Sequence, residues 1–251
     1  MISEFALFVF TLAGGTAAGA YVLAPFVEQR QYKDLRRAAM PAVALVLLAI
    51  GGVSLLLHLG HPERMLFAFS KPWAGIAAEG YTTVFFGIMV VIDLVLRVVR
   101  GASNKVVTWL CALGGLLVCC AMAYAYHSYT NVGAWHAFST LPLFVLGNLS
   151  AGGALCGVFA KDGVAGKRYN TALLVVQVLA LASFVLAAAT FAATGANAGM
   201  AVAGAIVGPV ACLVLAVVAR SGRKLPGAAA IMVVLAVVGL ALVRYAFYAV
   251  V

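Results

Sequence analysis

The chain has 251 residues, 65% of them hydrophobic and only 9% charged, and its mean hydropathy is +1.12. That is too little polar surface to cover a soluble globule of this size, so the composition excludes a water-soluble domain and predicts an integral membrane protein. A net charge of +9 would suit nucleic acid if the cations formed one patch. They are instead spread over the short connections between apolar stretches, so no nucleic-acid partner is expected and the surrounding phase is membrane lipid.

Stretches long enough to cross ~30 Å of hydrocarbon run at 5–27, 38–60, 74–96, 106–126, 139–160, 170–193, 201–219 and 228–250. They predict an all-α integral membrane protein, a bundle of eight transmembrane helices forming one domain over 1–251. The first stretch follows Met1-Ile2-Ser3-Glu4 with no basic leader and no small-residue cleavage site, so it is expected to be a retained helix. Arg30, Lys33, Arg36 and Arg37 follow helix 1. Arg97, Arg100 and Lys105 join helices 3 and 4, Lys161, Lys167 and Arg168 join helices 5 and 6, and Arg220, Arg223 and Lys224 join helices 7 and 8. Thirteen of the sixteen cations thus lie on one side, which by the positive-inside rule places both termini outside the cytoplasm.

Small residues four apart recur as Gly15/Gly19, Gly153/Gly157 and Gly204/Gly208, a spacing that lets membrane helices approach closely within one bundle. Pro209 predicts a kink in helix 7. Cys111, Cys119, Cys120, Cys156 and Cys212 all fall inside spans, with no CxxC pair to hold iron and sulfur, and are expected to pack as small apolar groups. Asp93 precedes Arg97 by four residues, a spacing for a local ion pair. Asn148 and Gln177 are the strongly polar mid-span groups, expected to hydrogen-bond between helices.

The remaining polar residues gather at one membrane edge. His58 ends helix 2 and Glu79 lies one to two turns inside helix 3, followed by Tyr81, Thr82 and Thr83. Tyr124, Tyr126 and His127 end helix 4, Tyr129, Trp135 and His136 follow it, and Arg244, Tyr245 and Tyr248 end helix 8. Ionisable groups at membrane depth are expensive and mark ligand, ion or proton sites. Tyrosine and tryptophan here would ordinarily form an interfacial belt, and Arg244 could extend to the interface. His58 and Glu79, on consecutive helices at similar depth, are less easily dismissed. A quinol loses two protons with its two electrons, so its pocket needs an acid/base or hydrogen-bonding group near each ring oxygen, and a carboxylate with a histidine suits that task. No chain of acids and histidines crosses the bilayer, so a transmembrane proton path is not expected.

These residues carry a resemblance. The turn His58-Leu59-Gly60-His61-Pro62-Glu63-Arg64, Glu79 in helix 3, the segment from Tyr126 to Trp135 with Thr140 beyond it, and Arg244-Tyr245-Ala246-Phe247-Tyr248 resemble the membrane-anchor subunits of dimethyl sulfoxide reductase, within the wider NrfD-like group of quinone-interacting anchors. The chain departs from the family's pattern at Tyr124, Gly133 and the Gly75-Ile76-Ala77-Ala78 approach to Glu79.

The resemblance implies an anchor in a bacterial cytoplasmic (inner) membrane that oxidises menaquinol as its substrate and passes electrons to a 4Fe-4S subunit. That subunit would feed a molybdenum bis-pterin catalytic subunit reducing a sulfoxide or N-oxide, with both partners on the extracytoplasmic face. It further implies that His58 and Glu79 belong to the quinol site, with Arg64, Tyr81, Tyr124, Tyr126 and Arg244 around it. No haem or iron-sulfur cluster is expected in this chain, and the anchor itself would not touch the terminal acceptor. An anchor for a polysulfide, tetrathionate or other oxyanion reductase is the nearest alternative, and a purely structural anchor another. A transporter would call for polar or broken helices at the midplane and two related halves, which the sequence does not display.

Overall fold

The computed structural model describes residues 4–27, 38–58, 67, 70–71, 73–222 and 227–250, and of His58 the backbone alone. Eight helices long and apolar enough to cross a membrane are present, and no strand occurs among the described residues. They are α1 (Phe5–Leu23), α2 (Ala39–His58), α3 (Gly75–Arg100), α4 (Lys105–His127), α5 (Thr140–Val158), α6 (Lys167–Thr194), α7 (Ala198–Arg220) and α8 (Ala228–Tyr248).

Local chemistry sets the limits. Gly101 closes α3 and Gly195 closes α6, each at positive φ (81° and 78°), where a side chain would be strained. Asn104 caps α4 by accepting from the Val106 amide at 2.8 Å, and Asn197 caps α7 by accepting from Met200 at 3.1 Å. Hydropathy therefore underestimates α3 and α6, whose charged and polar ends remain helical beyond the apolar core. Pro209, expected to kink helix 7, sits in a π-helical turn over Ile206–Val210, which absorbs the missing amide without ending the helix.

The most enclosed helices are α1 and α5. In their spans 61% and 67% of the residues are buried, against 22% in α3. Composition accounts for this, because α1 and α5 are rich in Gly and Ala on the faces that meet. A Cβ at Gly19 would lie 2.0 Å from the Asn148 carbonyl oxygen, and one at Gly152 2.2 Å from the Ala20 nitrogen. Two backbones thus touch where lipid offers no hydrophobic drive and close contact supplies the attraction. Gly204 and Gly208 meet Gly239 of α8 in the same way, while Gly153 and Gly157 face Leu23, Leu173 and Tyr169. All three glycine pairs therefore serve packing within the bundle. In contrast α3 exposes Val84, Ile88, Val91, Val95 and Val99, a β-branched face suited to lipid.

Asp93 and Arg97 do pair, at 2.8 Å, but both are buried. Tyr21 of α1 donates to the same carboxylate at 2.8 Å and Ser103 donates to its other oxygen. The pair locks α1 to α3. Asp93→Ala, which leaves Arg97 buried opposite an apolar methyl, is expected to cost about 3–5 kcal/mol, read as a lowered unfolding midpoint of the purified protein in detergent. An unchanged midpoint would show the pair to be dispensable.

The polar mid-span residues bridge helices as expected. Ser150 donates to Gln177 at 2.7 Å, and Asn148 accepts from Arg244 at 3.2 Å. Four of the cysteines are buried, but Cys120 is exposed. It lies on the side of α4 turned away from the packed neighbours of Cys119, so its expected role as core packing is corrected.

Candidate functional site

Because the helices alternate in direction, the start of α1, the end of α2, the start of α3 and the end of α4 lie at one end of the bundle. A cavity of about 290 Å³ opens there. Apolar walls come from Leu7, Leu55, Ile76 and Ala125, and an aromatic wall from Tyr126, Tyr129 and Trp135. Two carboxylates line it: Glu79 of α3, and Glu4 immediately before α1. The volume is near the lower limit of small-molecule pockets, about 300 Å³.

Glu79 is the unusual member. It is only 4% exposed, and its Oε1 atom has no hydrogen-bond partner among the described residues. A buried polar atom left in that condition is costly, and such an atom at the wall of a cavity is suited to a ligand that donates a hydrogen bond. Helix geometry puts it there, since Glu79 follows Gly75 by four residues, about 6 Å along the axis. Thr82, one turn on, is occupied locally and donates to the carbonyls of Ala78 and Glu79.

The aromatic wall is held from behind. After α4 the short helical turn Gly133–His136 returns over the bundle and inserts Trp135, whose Nε1 donates to the Phe247 carbonyl at 2.8 Å. Thr140 donates to the Ala134 carbonyl at 3.2 Å, and His136 Nδ1 lies 2.7 Å from the His127 carbonyl oxygen. Tyr126 stacks on Phe144 at 4.8 Å and meets Trp135 edge-on at 5.5 Å. Phe247 stacks on Trp135, and Tyr248 meets Tyr126 edge-on and has its hydroxyl 3.2 Å from that of Thr11. An aromatic cluster of this density makes a rigid wall. The interfacial-belt expectation is therefore corrected for Trp135 and Tyr248, which are buried. Tyr129 and Tyr245 remain exposed.

Arg244 also differs from its expected place. It does not extend to the interface but is fully buried, with its guanidinium carbon 3.1 Å from the Phe144 ring centroid and Nη2 donating to Asn148. Its Nε and Nη1 atoms have no hydrogen-bond partner among the described residues. It stands against Phe144, which stacks on Tyr126 of the aromatic wall, and is not among the residues lining the cavity.

Of the residues singled out from sequence, Glu79 and Tyr126 come together at the cavity. Tyr81 and Tyr124 are 48% and 47% exposed and lie outside the lining, Tyr124 donating to the Trp73 carbonyl at 3.3 Å. Arg64 and the side chain of His58 fall outside the described residues. Glu4 escaped sequence reading because an acid directly before an apolar run resembles an ordinary helix start. The available signal was the alternation of the helices, which brings position 4 to the same end as Glu79. No group of three or more metal-ligating side chains occurs among the described residues.

The profile of the DMSO reductase anchor subunit (DmsC) family matches residues 1–207. That stretch contains every residue lining the cavity and ends within α7, before α8. No curated protein matches the chain. A match over most of the length places this chain in the DMSO reductase anchor subunit family, and it is a multi-pass membrane protein serving a reductase complex with other subunits.

Proposed function

We propose that this member of the DMSO reductase anchor family oxidises menaquinol in the cavity at Glu79 and passes the electrons to an iron-sulfur subunit. The observation that carries the reading is the buried Glu79 carboxylate, with one oxygen unpartnered among the described residues, at the wall of a slot whose other lining is apolar and aromatic apart from Glu4.

Oxidation of a quinol breaks two O–H bonds, releasing two protons and two electrons. Glu79 Oε1 is placed to accept a hydrogen bond from one hydroxyl and then its proton, a task typically worth about 10²–10⁴ in rate. Leu7, Leu55 and Ile76 exclude water around the ring, and the Tyr126 and Trp135 rings fix its plane. His58 ends α2 next to this end of the bundle and is proposed to serve the second ring oxygen, with Arg64 as electrostatic support. Tyr81 and Tyr124, exposed to the side, would contact at most the isoprenoid tail. The chain's cations favour release of the protons on the extracytoplasmic side, with both termini and the partner subunits there, in a bacterial inner membrane.

The electrons leave to a 4Fe-4S subunit and then to a molybdenum bis-pterin subunit reducing dimethyl sulfoxide or a related S- or N-oxide. Mild solubilisation under anaerobic conditions tests this. An iron-sulfur protein is expected to copurify, and added menaquinol is expected to bleach its visible absorbance. Purification without any such partner, or clusters that menaquinol cannot reduce, would contradict the proposal.

A further inference from the structure

Resting on the quinol reading above, we infer that Glu4 is the second carboxylate of the proton path, taking protons from Glu79 and handing them to water at the mouth. Three observations support it. Glu4, immediately before α1, and Glu79 of α3 line the same cavity. They differ in depth: Glu79 lies a turn inside α3 and is only 4% exposed, with one oxygen unpartnered among the described residues, whereas Glu4 precedes the first residue of α1 and is partly exposed. And the Glu4 backbone is held at the mouth, because its carbonyl accepts from the Phe8 amide at 3.0 Å and so belongs to the first turn of α1.

The enclosure of Glu79 calls for such a group. Of the two protons each quinol delivers, His58 is proposed to serve one and Glu79 takes the other. With Glu79 enclosed by Leu7, Leu55 and Ile76, its proton must leave before it can act again, and the carboxylate of Glu4, a partly exposed residue in the same cavity, supplies the next acceptor. Glu79 is then the group that touches the quinol, and Glu4 is the relay to solvent. The proton that Glu79 takes from the quinol reaches bulk water by this route, while both electrons go to the iron-sulfur partner.

The test uses the intact complex carrying Glu4→Gln, Glu4→Asp or Glu79→Gln, with menaquinol as donor and kcat, KM and the pH profile as readouts. Glu4→Gln is expected to lower kcat at least about tenfold, a smaller loss than at Glu79 itself, while KM stays within about twofold. Glu4→Asp, which keeps the carboxylate, is expected to recover most of kcat with a displaced pH profile. Wild-type kcat and pH profile in Glu4→Gln, alongside a slow Glu79→Gln, would overturn the relay and leave the quinol pocket standing. A rise in KM alone would also overturn it, since Glu4 would then only shape the mouth. Wild-type behaviour in both variants would remove the pocket assignment itself. Should Glu4→Gln fail to assemble, Glu4→Asp decides alone: a pH profile identical to wild type rejects the relay.

Discussion

Glu79→Gln is expected to lower menaquinol-driven turnover of the assembled complex by about 10²–10⁴, with the level of the anchor in the membrane unchanged. The amide matches the carboxylate in shape, so the packing around it is retained, but it cannot take a proton. The buried side chain has one oxygen unpartnered among the described residues, and the neutral amide is cheaper to bury than a carboxylate, so the folded protein should be no less stable. Loss of rate with retained or raised stability is the signature of a residue kept for chemistry. A purely structural anchor predicts unchanged turnover, which a quinol oxidation assay in isolated membranes distinguishes.

A large stability effect is also expected at the α1–α5 crossing. Gly19→Leu would drive a Cβ to 2.0 Å from the Asn148 carbonyl oxygen and 3.1 Å from the Leu149 Cα. Both are backbone atoms that cannot rotate away, so the helices must separate. Overpacking typically costs about 1–3 kcal/mol, and displacement of two central helices puts this site at the upper end or beyond. Asn148 also holds Arg244, so the shift would disturb the support of the aromatic wall. Gly87→Leu is the control: nothing lies within 4 Å of its Cβ position, and the unfolding midpoint should hold or rise slightly because leucine favours the helix. Equal midpoints for the two variants would reject the close-contact account of the core.

Much of this architecture is legible in the amino-acid order because lipid imposes simple rules. Hydropathy marks the eight spans, and the glycine spacings mark two of the backbone crossings. What hydropathy misses follows from chemistry it does not weigh. The polar ends of α3 and α6 stay helical until Gly101 and Gly195, and Pro209 is absorbed by a π turn.

The site was legible only in part. Glu79 stands out because a carboxylate inside an apolar run is costly to bury and, unlike Asp93 with Arg97 four residues on, it has no cation at helical spacing. Arg244 and Tyr248 read as edge residues because they end a span, yet Arg244 is buried against Phe144 and Asn148 of α5, and Trp135 of the turn Gly133–His136 packs on Tyr248. That burial is a tertiary event with no local signature. Glu4 was hidden for the converse reason, since its neighbours in sequence resemble an ordinary helix start and the cavity it shares with Glu79 is made only by tertiary packing.

Quinol is proposed to bind in the cavity bounded by α1, α2, α3 and α4. The most direct measurement is photolabelling of the purified complex with a photoreactive menaquinone analogue, followed by mass-spectrometric mapping of the modified residues. Labels are expected on the lining, at Leu7, Ile76, Tyr126 or Tyr129, and are expected to be competed away by menaquinol and lost in Ile76→Trp, which fills the slot. Labelling confined to the lipid-facing valines of α3, or unaffected by menaquinol and by Ile76→Trp, would contradict the assignment.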